Sequence, residues 1–280
     1  MQSFVEAAVA RLDPGSDCQE IVRLDYTIEF PWDMARALEL ALFRTFAAPA
    51  VAELLARTGE LERRTQKRYD DTSILIGEFL AHGWEGERGR RALERMNAIH
   101  ARFAIGNEVY LYVLSTFVCE PTRWLARFGW RPLAPAETEA AFHFWQRIGA
   151  RMGIRDIPGS YAALEAWNLD YERRAFRRTD AGQRLARATL ELMLGWHLPR
   201  ALRPLGRKAV FALMDAPLLD AFGFPHPGPG VRATVERAMR VRAAALRVLP
   251  KRRSALRAED MSWRSYPGGY DIGQIGPDGR

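Results

Sequence analysis

Lys67-Arg68-Tyr69-Asp70-Asp71-Thr72 opens a run that continues through Leu75, Ile76 and Phe79. At helical spacing Arg68, Thr72, Leu75, Ile76 and Phe79 fall on one stripe, while Asp70, Asp71 and Glu78 turn elsewhere. An apolar stripe faces a core, so this reading carries Arg68 and Thr72 inward with it. A second run, Met96-Asn97-Ala98-Ile99-His100, has the same period. Ala92, Met96, Ile99, His100 and Phe103 share one face, and Arg91, Glu94, Arg95, Asn97 and Arg102 share the other. A third run begins at Asn107-Glu108-Val109-Tyr110-Leu111-Tyr112 and is more apolar than either. Helical periods recur along the chain with no convincing strand ladder, which predicts an all-α protein.

Each of the first two runs puts a polar group where apolar side chains are expected. Periodicity alone reads an inward histidine more readily as a core side chain than as a ligand. An inward Arg68 is harder to absorb, because an unpaired guanidinium in a core needs a carboxylate, a propionate or a phosphate opposite it. A neutral imidazole, a cation, a hydroxyl and apolar walls together are what a noncovalent haem site requires.

These segments also carry a resemblance. Lys67-Arg68-Tyr69-Asp70-Asp71-Thr72, the Met-Asn-x-Ile-His ending in His100, Asn107 leading to Leu111-Tyr112-Val113-Leu114-Ser115-Thr116-Phe117, and Asp156-Ile157-Pro158-Gly159-Ser160-Tyr161 occur in that order. The set resembles the MpaB-type oxygenase family, which shares its catalytic domain with the latex-clearing rubber oxygenases. Tyr266-Pro267-Gly268-Gly269-Tyr270, followed by Gly276-Pro277, resembles the MpaB branch, so the similarity spans roughly residues 45–277. It implies a single globin-like helical domain with additional helices. It also implies noncovalent haem b, its iron held on the proximal side by the histidine matching His100. Arg68 and Thr72 match residues near the haem, and are the candidate cofactor-binding and catalytic side chains. Arg68 would stabilise a propionate or charge developing on oxygen, and Thr72 would hydrogen-bond that oxygen or a water. The ring's other N–H is expected to bond a carbonyl near Met96. The implied reaction uses dioxygen to oxidise or cleave a double bond in an apolar isoprenoid or lipid-like substrate. This chain departs from the rubber enzymes in one respect: they carry a lysine before the threonine that can occupy the distal iron position, and here the residue is Asp71. No distal protein ligand is carried over. Nor does a motif place the family's proposed catalytic glutamate, with Glu53, Glu60 and Glu62 all nearby.

Composition limits the alternatives. The chain has 280 residues, enough to bury a full core, and no uninterrupted apolar stretch of membrane-spanning length. Its start, Met1-Gln2-Ser3-Phe4-Val5-Glu6, does not read as a secretory signal, which points to the cytoplasm, with membrane association left open. Cys18 and Cys119 supply neither a disulfide framework nor a Cys-x-x-Cys-His attachment motif, and Cys119 reads as a small core side chain. Residues 231–257 hold nine cations against the single acid Glu236, an excess larger than the formal +7 of the whole chain. Interleaved Val231, Val235, Ala238, Met239, Leu246 and Leu249 make that segment a basic amphipathic helix, fitted either to solvent or to a membrane surface. No nucleic-acid motif accompanies it.

Punctuation gives the organisation: a lead over 1–30, a helical haem-binding oxygenase domain over 31–257 and a tail over 258–280. Helices are predicted over 31–46, 50–58 with Gly59 as stop, from Arg68 to about Gly83, from the 86–89 glycines to His100, and over 107–120, with Asn107 as cap and Pro121 beyond. Further helices follow over 136–152, after the N-cap Ser160, and from Thr179 or Asp180. Of the remaining histidines, His197 is the one placed near enough to join a pocket. Paired Asp70 and Asp71 with Glu78 also invite a magnesium-diphosphate reading, but no second acidic cluster accompanies them. Two other classes stay open: a haem-binding sensor or carrier without turnover, and a cofactor-free peripheral membrane protein in which His100 is a core residue.

Overall fold

The computed structural model describes residues 3–277. Among them are fourteen α-helices and no β-strand, only an isolated bridge between Trp263 and Tyr266. The all-α expectation holds.

The N-terminal 30 residues are more than a lead. Ser3 caps α1 (Phe4–Val9) in a reciprocal capping box with Glu6. Helix α2 (Cys18–Leu24) passes into a π-helical turn at Asp25–Glu29. Val5, Val9, Cys18, Ile21 and Val22 are all buried in the main core, where α2 lies along α9 (Pro135–Arg151). Helices of six and seven residues complete too few turns for periodicity to reveal them.

Pro31 and Pro49 each occupy the first turn of a helix, where the missing N–H is harmless, opening α3 (Pro31–Phe46) and α4 (Pro49–Thr58). Gly59 ends α4 at φ 65°, and α5 (Glu60–Arg63) follows. Helices α6 (Thr65–His82) and α7 (Glu87–His100) pack as a hairpin. The central helix is α8 (Asn107–Phe128), lined by α3, α9 and α10 (Tyr161–Ala175). It does not stop at Pro121. The proline removes one backbone donor, yet Trp124, Leu125 and Phe128 beyond it are buried in the core, and that packing outweighs the break. Asn107 is not the cap either. Gly106 takes that position, while the Asn107 side chain accepts from the Arg155 backbone N–H at 2.8 Å and donates to the Arg155 carbonyl at 3.0 Å. Ser160 and Thr179 do cap their helices, accepting from the Ala163 and Gly182 N–H groups.

Helices α11 (Asp180–His197), α12 (Arg203–Leu213) and α13 (Ala216–Phe222) enclose a second apolar cluster with α3 and α4. Arg44 on α3 joins the layers. Its guanidinium, 5% exposed, pairs with Glu172 of α10, with Asp215 at 2.8 Å and with Glu120 of α8 at 3.4 Å. Removing one of the buried members, Arg44, Glu172 or Glu120, costs about 3–5 kcal/mol.

The basic helix α14 spans Pro229–Val248, so it starts before residue 231 and stops well before 257. Arg242 turns inward and grips Asp33 through both carboxylate oxygens at 2.9 and 3.0 Å; Trp124 Nε1 donates to the same Asp33 at 3.0 Å. The chain beyond α14 runs back across α6 and α7 in two 3₁₀ turns, Ala258–Asp260 and Ile272–Gln274, burying Trp263, Ile272 and Ile275. Residues 1–2 and 278–280 lie outside the described residues.

Candidate active site

Helix α6 presents three faces. Leu75, Ile76 and Phe79 enter the core as the spacing predicts, Phe79 meeting Trp145 edge to face at 5.8 Å. Trp145 in turn stacks on Phe117 of α8 at 5.0 Å. Arg68 and Thr72 continue that stripe and are partly buried. Asp70, Asp71 and Glu78 are not solvent-facing: they are 3%, 3% and 0% exposed, because the C-terminal segment covers them. Asp70 accepts from Gln66 and from the Ser265 backbone N–H, Asp71 from Lys67 and Tyr266, and Glu78 from Arg88 and Tyr270. With their oxygens so engaged, the magnesium-diphosphate reading loses its ligands. Glu78, His82 and Glu259 come within 4.8 Å of one another, but Arg88 already holds the Glu78 carboxylate.

The Arg68 guanidinium donates to Thr72 Oγ1, whose hydroxyl reaches back to the Arg68 carbonyl at 3.0 Å. No carboxylate among the described residues forms an ion pair with Arg68. Burial lowers its pKa below the ordinary arginine value, with the charges of Asp71 and Glu60 opposing that shift. Of the three nearby glutamates, Glu60 is thus the one whose charge reaches Arg68. Glu53 is exposed, and Glu62 is tied to Arg184 at 2.8 Å.

His100 is the last residue of α7. A helix C-terminus ordinarily favours an imidazolium, but burial and the neighbouring Arg68 cation push this pKa down to about 4. The ring is therefore neutral at physiological pH. It meets Tyr110 of α8 edge to face at 5.6 Å. The bond expected from the ring to a carbonyl near Met96 does not form: His100 Nδ1 is buried and has no partner among the described residues. The structure sets the Arg68–Thr72 pair near the start of α6 and His100 at the end of α7, at the same end of the hairpin, near enough for the Arg68 charge to act on His100. It leaves His197 out. That residue is exposed at the end of α11, while its neighbour Trp196 packs on Tyr69 at 4.7 Å and donates to Gln66 at 2.8 Å. Cys119 is fully buried and its pKa is pushed up to about 12, so it is a core thiol.

Residues 6–245 match the model of the family described as ER-bound oxygenase mpaB/B'/Rubber oxygenase, catalytic domain. The chain belongs to this family. An ER-bound oxygenase mpaB' of Penicillium brevicompactum is 28% identical over 272 residues, which cover 86% of this chain and 64% of that protein. An ER-bound oxygenase mpaB of Penicillium roqueforti is 29% identical over 212 residues, 69% of this chain and 71% of its own length. The chain thus spans just under two thirds of the first of these relatives. Among the described residues of this MpaB/rubber-oxygenase family member, no helix is long and apolar enough to cross a membrane. The match starts at residue 6, so α2 and most of α1 lie within the family's domain. Sequence spacing did not single out Tyr110 as the ring's neighbour, or Lys67 and Gly276 as residues joined by a hydrogen bond. The signal for the last two was the Tyr-Pro-Gly-Gly-Tyr tail, which resembled a family branch without indicating what it covers.

Proposed function

We propose that this chain is a haem b-dependent oxygenase that uses dioxygen on an apolar, isoprenoid or lipid-like substrate. The observation that carries the reading is the buried, unpartnered Nδ1 of a neutral His100 beside an Arg68 that no carboxylate neutralises. A buried nitrogen without a partner costs about 1–3 kcal/mol, which a metal bond would offset. The donor set fits haem: His100 would hold the iron, Arg68 would meet a propionate or developing negative charge, and both cysteines are buried in a chain without an attachment motif. Haem, when bound, supplies the one-electron chemistry that dioxygen needs.

The chain's own residues would do the rest. Burial keeps the His100 lone pair free of a competing proton down to about pH 4. Thr72 fixes the Arg68 guanidinium in advance, so little reorganisation is needed when charge develops beside it. Family likeness supports cleavage of a carbon–carbon double bond, with each oxygen atom of dioxygen ending in one of two carbonyl products, so that no external reductant is consumed. Protein expressed with adequate iron is expected to contain close to one haem per chain by pyridine haemochrome assay, extractable by acidified ketone. Folded, colourless protein that takes up no added haem would remove the reading.

Helix α14 supports a membrane surface as the place of work. Arg242 and Arg232 turn inward to Asp33 and to the Met214 carbonyl, and Arg247, itself exposed, donates to the Trp130 carbonyl. On this helix and just beyond it Arg237, Arg240, Arg252 and Arg253 are exposed, as are Val241 at 63% and Val248 at 84%. Cations interleaved in sequence with exposed apolar groups suit anionic lipid. Flotation should recover the protein with phosphatidylserine-containing vesicles and not with phosphatidylcholine alone, and Arg237→Glu with Arg240→Glu should abolish it. Equal recovery with both lipids would exclude the electrostatic contact.

A further inference from the structure

Each proposed site residue follows directly on a residue held by the C-terminal segment or by its partners: Lys67 precedes Arg68, Asp71 precedes Thr72, and Ile99 precedes His100. Lys67 Nζ donates to the Gly276 carbonyl at 2.7 Å, to Tyr266 Oη at 3.0 Å and to Asp71 at 3.0 Å, while Tyr266 donates to Asp71. On the α7 side, Arg95 Nε donates to the Ile275 carbonyl at 2.6 Å, and Ile275 is fully buried. Gly276 sits at φ 110°, a conformation that side chains rarely adopt, and a Cβ there would come within 2.6 Å of Ile99 Cδ1. One glycine therefore touches the residue before Arg68 through its carbonyl and the residue before His100 through its Cα.

We infer that residues 265–276 form a clasp that sets the separation between His100 and the Arg68–Thr72 pair, with Lys67 and Gly276 as positioning residues. The inference rests on the haem reading for what is being positioned. Its physical basis is helix stiffness. A shift of Ile99 or Lys67 moves the adjoining site residue with it, and a misplacement of about 1 Å can cost a hundredfold in rate. A tail that merely covered apolar surface would need neither a glycine at the crossing nor a lysine satisfied by three separate partners.

The test compares Lys67→Met and Gly276→Val with Arg91→Ala, which removes the exposed Arg91–Asp271 pair and leaves residues 265–276 themselves unaltered. In haem-free protein, amide exchange in the last turn of α7 is expected to quicken at least about tenfold in the two clasp variants, with its first turn unchanged. On titration with hemin, the clasp variants should bind at least about tenfold more weakly and give a heterogeneous ferric EPR spectrum. Lys67→Arg should recover most of the wild-type signal, and Arg91→Ala should match wild type throughout. If Gly276→Val fails to fold, Lys67→Met and Tyr266→Phe decide on the same readings. Wild-type exchange, affinity and EPR in the folded clasp variants would overturn the clasp. Wild-type protein that binds no hemin would instead overturn the haem reading, and the exchange measurement would still judge the clasp.

Discussion

His100→Ala is expected to abolish haem binding while leaving the far-ultraviolet circular dichroism of the helices intact. The ring is partly buried at the end of α7, and its Nδ1 has no partner to lose, so truncation should cost about 0.5–3 kcal/mol of stability rather than the fold. Retention of haem, and with it a protein-bound Soret band, would by contrast depend on the iron ligand. His143→Ala, His226→Ala and His197→Ala serve as controls. His143 is half-buried near Glu139, His226 pairs with Asp220 at 2.7 Å on the surface, and His197 is exposed, so all three variants should keep haem. A wild-type spectrum in His100→Ala would show that this histidine does not hold the iron.

Arg68→Leu is expected to lower turnover per bound haem by about a hundredfold or more, the effect of removing one preorganised donor. If Arg68 instead clamps a propionate, haem content falls along with it, and the two roles separate when rate is normalised to haem. Thr72→Val keeps the side-chain shape but removes the hydroxyl that receives the Arg68 guanidinium. Haem should remain and turnover should drop, because the guanidinium is no longer held in one orientation. Oxygen consumption with a polyprenyl test substrate measures both variants. Wild-type rates per haem in both would take the pair out of the catalytic machinery. A haem-loaded wild type without turnover would favour the sensor or carrier.

Local regularities made much of this molecule legible. The 3.6-residue period placed Leu75, Ile76 and Phe79 in the core and set Arg68, Thr72 and His100 on inward faces. Ser160 and Thr179 announced their helices because an N-cap bond spans only three residues. Features that depend on distant chain were not legible. Asp70, Asp71 and Glu78 could be placed only away from the apolar stripe, since the segment that buries them lies more than 190 positions away. Pro121 read as a helix end because the core packing of Trp124, Leu125 and Phe128 is a property of the assembled layers. The inward cations of α14 were indistinguishable from its outward ones until Asp33 and the carbonyl ends of neighbouring segments were in place.

The α6–α7 hairpin acts as a pair of tongs. Its joint is nearly solid: a Cβ on Gly89 would lie 1.7 Å from the Gly83 carbonyl oxygen, and one on Gly86 would lie 2.2 Å from that of His82. Arg68 and His100 stand at the opposite, open tips. Along the fourteen residues of α7, about 21 Å of lever, a splay of about 5° at the joint displaces the imidazole by nearly 2 Å. Substitutions at Gly86 or Gly89 therefore reach the far end of α7 as an angle, so a joint that touches neither His100 nor Arg68 adds to the spacing between them.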